Sequence, residues 1–254
     1  MSIKNKILSA VVILLFNFSI ANAQTFNKPT AYWGLNYYKY VEQTSGHDPF
    51  MEEETKMLPS ILVGYKDETS INSKEKKNSL SWLAEATYGQ VEYSQWTGAS
   101  THTHNYWKIQ GEALYPVVNN LYVGLGYRYL YDYLSDAGAG GYDRSNELFY
   151  IPAGYVLNNT DGSRTKFQFN YLIEGTQKSY VTDYGASNDL TNKQHNGWGL
   201  DLSYTPTSGN WEIFGKYWNI QATGWGNTYT YGGTTYTGLE PDNQTYEIGV
   251  RLAF

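Results

Sequence analysis

The amino-acid sequence predicts an all-β fold, a closed antiparallel transmembrane β-barrel of ten strands. Apolar and polar residues alternate with period two through ten segments of about ten residues, the strand length that crosses a bilayer at a 45° tilt; soluble strands are nearer 5–6 residues. One face of each segment carries no charge and places aromatics at its ends, with aliphatic and small residues between. A lipid-facing band between two aromatic girdles has this pattern. Charged residues make up 17% of the chain and aromatics another 17%, including 26 Tyr, which excludes a disordered chain.

Other classes fall away on composition. The 254 residues contain no Cys, so neither a disulfide framework nor a cysteine metal site is available. A mean hydropathy of −0.53 excludes a helical membrane protein, and a pI near 5.2 argues against a nucleic-acid partner.

Residues 1–23 read as a cleaved signal peptide. Lys4 and Lys6 precede the mostly apolar run Ile7 to Ile20, and Ala21-Asn22-Ala23 forms a small-x-small cleavage site before Gln24. The run is too short to span comfortably, since a spanning helix needs about 20 apolar residues. Export is therefore expected, and removing two lysines and no acids takes the formal charge from −6 to −8. Residues 24–254 are expected to form one domain.

The ten segments lie near 31–42, 57–66, 80–94, 105–115, 121–132, 147–157, 165–176, 197–205, 211–221 and 244–254. The first turns Trp33, Leu35 and Tyr37 to one side, the second Ile61, Val63 and Tyr65, the third Trp82, Ala84, Ala86 and Tyr88. The fourth gives Trp107, Ile109, Gly111, Ala113 and Tyr115, the fifth Leu121, Val123, Leu125, Tyr127, Tyr129 and Tyr131. Phe149, Ile151, Ala153 and Tyr155 follow in the sixth, and Phe167, Phe169, Tyr171 and Ile173 in the seventh. The last three present Trp198, Leu200, Leu202 and Tyr204; Trp211, Ile213, Gly215 and Tyr217; and Tyr246, Ile248, Val250, Leu252 and Phe254. A soluble sandwich would leave these girdles unexplained. In lipid, an open sheet would strand its edge N–H and C=O groups, so the strands must close. Ten is an even number, and both termini are then expected on the periplasmic side. Eight strands, with the first two segments placed differently, is the alternative.

Connection lengths fit that orientation. Outward loops fall near 43–56, 95–104, 133–146, 177–196 and 222–243, while the inward turns near 116–120, 158–164 and 206–210 are short and marked by Gly, Asn or Pro. Long extracellular loops and short periplasmic turns are the rule for such barrels. Residues 67–79, DETSINSKEKKNS, break it with a long, charged inner connection. Either strands two and three extend past the membrane there, or the early strand count is wrong.

The closing segment, Tyr246-Glu247-Ile248-Gly249-Val250-Arg251-Leu252-Ala253-Phe254, resembles the last strand of Gram-negative outer-membrane β-barrel proteins, the small porin-like and opacity-type barrels among them. The resemblance covers the whole mature chain at the level of architecture and identifies no subfamily. It implies export through the periplasm to the outer membrane and contact with outer-membrane lipid and lipopolysaccharide. It also implies insertion by the barrel assembly machinery, with Tyr246, Ile248, Val250, Leu252 and Phe254 as the assembly signal.

The opposite face is polar. Glu85, Lys108, Glu112, Arg128, Glu174, Asp201, Lys216, Glu247 and Arg251 are expected to form a lumen network, with Lys66, Lys166 and Glu212 completing a balance of six bases and six acids. About eight strands already fill with side chains, and general porins need 16–18. A ten-stranded lumen of this composition is expected to be largely plugged, its charges satisfying one another. A charge at Gln168 is accordingly expected to be tolerated better than one at Val123 or Leu202.

All four histidines, His47, His102, His104 and His195, fall in outward loops. Residues i and i+2 of an extended chain point the same way, so His102 and His104 could share a metal; the plain alternative is four exposed loop residues. No cofactor is expected. Omptin-type barrels, which carry acidic and His residues at the outer rim, suggest a rim hydrolase through Asp183, Asp189 and His195 with His102 and His104. The second loop has no Asp-x-Asp and the fourth no Asp-x-His, which sets this reading back. The loops Gly138 to Tyr142 and Thr223 to Gly238 combine Tyr and Trp with Gly, Thr and Asn, a composition suited to recognition. The functional expectation is a plugged barrel with structural or recognition roles through its loops. A narrow channel for small solutes and a rim hydrolase are the alternatives.

Overall fold

In the computed structural model the described residues are 28–44, 47–72, 79–95, 102–118, 120–137, 141–224 and 226–254. The signal segment and part of the 138–142 run lie outside them. No helix among the described residues is long and apolar enough to cross a membrane; strands do so instead.

The strands are β1 (Thr30–Thr44), β2 (His47–Glu54), β3 (Ser60–Asp67), β4 (Ser81–Gln95), β5 (His102–Val118), β6 (Leu121–Asp132), β7 (Arg144–Asn158), β8 (Arg164–Ser179), β9 (Leu190–Gln194), β10 (Gly197–Thr205), β11 (Trp211–Ile220), β12 (Asn227–Tyr231), β13 (Thr234–Gly238) and β14 (Asp242–Ala253). Each wall strand pairs antiparallel with its neighbours, and β1 closes the barrel on β14 from Tyr32↔Ala253 to Gln43↔Asp242. The result is a closed ten-stranded barrel; the eight-stranded alternative is excluded.

Two of the ten wall positions are filled by broken strands. β3 and β2 both lie between β1 and β4, one below the other. The break comes at residues 55–59, before Ser60, where Pro59 has no N–H to give a ladder. The Thr55 hydroxyl accepts the Tyr38 amide at 3.1 Å, and Met57 swings outward, 91% exposed. β10 and β9 share the position beside β8 in the same manner. β12 and β13 form a separate hairpin whose two-residue turn needs positive φ at Gly232 and Gly233, 57° and 82°.

The alternation places side chains as polarity requires. Leu125 and Ile248 expose 67% and 60% on the outer surface, while Lys66 and Lys108 are buried inside. Girdle aromatics stack across strands, Tyr65 on Trp82 and Phe169 on Trp198. Inward-facing glycines make room for rings: a Cβ at Gly126 would meet the Tyr150 ring at 2.2 Å, and one at Gly154 the Tyr122 hydroxyl at 2.2 Å.

Three sequence expectations need correction. Residues 73–78 of the inner connection lie outside the described residues; its described part neither prolongs the strands nor disturbs the count. It turns into a short helix, α1 (Thr69–Asn72), which packs Ile71 against Leu114, Tyr122 and Val156 inside the barrel. Glu174 is not a lumen residue. The β7–β8 register shifts between Phe149 and Tyr150, so Glu174 faces outward beside Lys193; a bulge reverses the parity of all that follows. His104, read as a loop residue, lies in β5 and is buried, its side chain fully covered. β4 and β5 continue past the outer girdle, where Gln90 pairs with Asn105 and Glu92 with Thr103, and the inward parity of β5 carries His104 into the lumen.

Candidate functional site

Side chains fill the lumen in tiers. At the end of the barrel that carries the short turns, Lys66 lies 2.7 Å from Glu212 and 3.3 Å from Glu68. Arg164 and Lys166 converge on Glu68 at 3.0 and 2.7 Å, and Arg251 holds Glu212 at 2.6 Å. Glu68 reaches this point because the 67–72 turn folds up into the mouth. Above it, Glu85 takes Arg251 at 2.8 Å and Lys216 at 3.0 Å. Lys108 pairs with Glu247, with Arg128 3.7 Å from the same carboxylate. Tyr150 and Gln168 donate to Glu112, at 2.8 and 3.0 Å, and Gln168 and Asn170 donate to Asp201. The structure thus brings together Glu85, Lys108, Glu112, Arg128, Asp201, Lys216, Glu247 and Arg251, and leaves Glu174 outside. The cavity among these groups measures about 20 Å³, room for about one water.

An apolar collar lies above the ladder. Tyr38, Tyr40, Met51, Val91, Tyr106 and Leu130 form one cluster, with Tyr38 stacked on Tyr106 at 4.7 Å. Leu148, Tyr150, Leu172, Trp218 and Ile220 form another. Toward the outside, Arg144 bonds Glu42 at 2.7 Å and also Glu53, and stands 3.8 Å from Asp132. The Tyr40 hydroxyl donates to Glu42 and Glu240, each at 3.0 Å. These residues were not singled out from the sequence because they lie beyond the girdle. Continuing the β6 alternation two residues past Leu130 would have placed Asp132 inside.

The outer mouth opens as a cup of about 420 Å³ lined by Phe50, Tyr93, His102, Tyr142, Gln177, Asn192 and Tyr229, with Glu42, Arg144 and Glu240 among its walls. The β12–β13 hairpin packs against this rim, the Ser187 amide donating to the Thr230 carbonyl at 2.8 Å and Tyr229 meeting Tyr184 edge-on. Of the groups expected for rim hydrolysis, Asp189 is engaged by Thr182 and Lys178, Asp183 accepts the Asp143 amide, and His195 is exposed. Among the described residues, the histidine found in a carboxylate cluster is His104, with Glu53 and Asp132.

Glu240, in the loop before β14, is pushed up to about 8, first by burial and then by the Glu42 carboxylate; Arg144 and the Tyr40 hydroxyl pull the other way, and Glu53 adds to the rise. A raised carboxylate pKa gives stability that is whole below the ordinary value, 4.5, and is lost as pH climbs through the folded value. The outer segment 221–241 should therefore loosen between pH 4.5 and about 8. Chymotrypsin cleavage of that segment, compared at each pH with Glu240→Gln, checks this: the wild-type rate should rise relative to the variant, and a constant ratio would contradict it.

An apolar exterior around a charged interior inverts the order of a soluble protein, and the closed sheet leaves no edge for lipid to meet. The chain is thus a transmembrane β-barrel of the outer-membrane type. No family model and no curated protein matches it. Among solved structures it is similar to the outer-membrane protease OmpT from Escherichia coli, at 13% identity and a TM-score of 0.45, covering 89% of this chain and 96% of that one. It is similar also to the translocator domain of the autotransporter NalP from Neisseria meningitidis, at 10% identity, a TM-score of 0.44, and 99% and 96% coverage. An outer-membrane channel from Pseudomonas putida F1 follows at 10% identity, a TM-score of 0.39, and 89% and 96% coverage. The activities of these proteins differ, and the likeness brings none of them to this chain.

Proposed function

We propose that this protein is a non-conducting barrel of the outer membrane that recognises an extracellular ligand in the cup at its outer mouth. The filled lumen carries the first half of the reading: the cavity of about 20 Å³ among the lower charges and the apolar collar above them leave little room for a hydrated solute. The cup carries the second. Tyr93, Tyr142, Tyr229 and Phe50 offer flat apolar faces, and the amides of Gln177 and Asn192, bonded to each other, line the cup beside them. Rigid aromatics beside amides suit a ligand with apolar C–H faces and many hydroxyls, so a short glycan is the class proposed. The lipid-facing residues Tyr246 and Ile248 on β14, and the pairing of Val250 and Leu252 with β1, support insertion by the assembly machinery into a membrane bearing lipopolysaccharide.

The refolded barrel on a glycan array tests the recognition reading. Binding to a defined set of short glycans, lost in the Tyr93→Ala and Tyr229→Ala double variant, is the expected result. Wild-type binding to none of them, or equal binding by the variant, would overturn it.

A further inference from the structure

We propose that Glu53, His104 and Asp132 form a site for a divalent first-row transition-metal ion in the neck between the collar and the cup. This goes beyond the recognition reading and does not depend on it. The three residues come from β2, β5 and β6, so sequence proximity does not explain their meeting. One ligand atom from each lies within 4.8 Å of the others. His104 Nε2 stands 3.8 Å from Glu53 Oε1, with both side chains fully covered, and the Asp132 side chain is 4% exposed.

The second observation is independent of the acidic charge. Both ring nitrogens of His104, Glu53 Oε2 and Asp132 Oδ1 are buried with no hydrogen-bond partner in the protein. Buried polar atoms are nearly always satisfied, and here four orphans belong to the three side chains of one cluster. Glu53 Oε1 is already held by Arg144, as is Glu42. Arg144 can therefore orient Glu53 as an outer-sphere partner orients a ligand, leaving Oε2 for the ion.

Donor chemistry selects the ion. One imidazole and two carboxylates suit Zn²⁺ or its neighbours, whereas Ca²⁺ takes six to eight oxygens. Zinc binds nitrogen and oxygen at about 2.0–2.2 Å, so the three ligand atoms, now within 4.8 Å of one another, would draw together around the ion. Charge points the same way: Glu42, Glu53 and Asp132 gather around Arg144, an excess of carboxylates that a dication offsets. The cup supplies a route of access, since Arg144 and Glu42 line it and so does His102, two residues from His104 on the same strand.

The test is Zn²⁺ titration of the intact, refolded, metal-stripped barrel in detergent by calorimetry, with folding read from heat-modifiable gel mobility. One equivalent should bind, and His104→Gln and Asp132→Asn should each weaken binding at least about tenfold, while His102→Ala should not. No Zn²⁺ binding by the folded wild type, or wild-type binding by the folded His104→Gln and Asp132→Asn variants, would overturn the site. Loss of binding in His102→Ala alone would overturn it too, placing the metal in the cup. A second reading needs no variant. Zn²⁺ should raise the unfolding temperature of the wild-type barrel and Ca²⁺ should not; an unchanged midpoint with Zn²⁺ contradicts the proposal.

Discussion

Replacing Glu212 by alanine should destabilise the barrel by about 3–5 kcal/mol, the cost of leaving buried partners uncompensated. Glu212 is 1% exposed and holds Lys66 and Arg251 at 2.7 and 2.6 Å, with Arg164 4.0 Å away. The hydroxyls of Ser203 and Thr205 also donate to it, at 3.3 and 3.1 Å. Four cations meet two carboxylates in this tier, so removing Glu212 leaves Lys66, Arg164 and Lys166 to Glu68 and Arg251 to Glu85. The outer-surface pair Lys39–Glu52, 30% and 20% exposed, provides the contrast: Glu52→Ala should cost about 1 kcal/mol or less. Urea unfolding in lipid vesicles separates the two. Equal midpoints would mean that the lower tier does not hold the barrel together.

Leu202→Arg should cost about 2–4 kcal/mol by placing a cation against hydrocarbon. Leu202 lies mid-strand in β10, 49% exposed, among Phe167 and Gly215 as cross-strand neighbours. Val123, 37% exposed on β6, should behave alike. Gln90, outward but above the girdle, should accept the same change at about 0–1 kcal/mol. Folded yield in vesicles is the measurement, and equal tolerance at Leu202 and Gln90 would sink the membrane level assigned here. Gln168 is no longer the permissive control that the sequence suggested. It accepts from Tyr122 and donates to Glu112, Asn170 and Asp201, so a charge there would break a filled network.

The walls were legible in the sequence because lipid punishes polarity on one face and the other face is confined. Trp82 to Tyr88 and Leu121 to Tyr131 alternate without error for that reason. Legibility failed where the period broke. At Glu174 a bulge slips the register, which no local composition announces. At residues 55–59 and 195–196 one wall position is shared by two short strands, so Glu53 could not be phased from Ile61. Glu68 and Ile71 carry no period at all, and their place in the mouth depends on tertiary packing against Leu114 and Val156. The spacing draws attention to His102 and His104 together, but among the described residues it is His104 that meets Glu53 and Asp132, which come from strands far away in sequence and cannot be found from that spacing.

Planar-bilayer recording of the refolded barrel tests whether the lumen is sealed. Folded protein, confirmed by heat-modifiable mobility, should give no discrete current steps. The double variant Glu85→Ser and Lys216→Ser, which removes a central pair joined at 3.0 Å, should remain silent as well, because the collar of Tyr38, Tyr106 and Trp218 still closes the path. Reproducible unitary steps from the wild-type barrel would contradict a sealed lumen and make transport its activity.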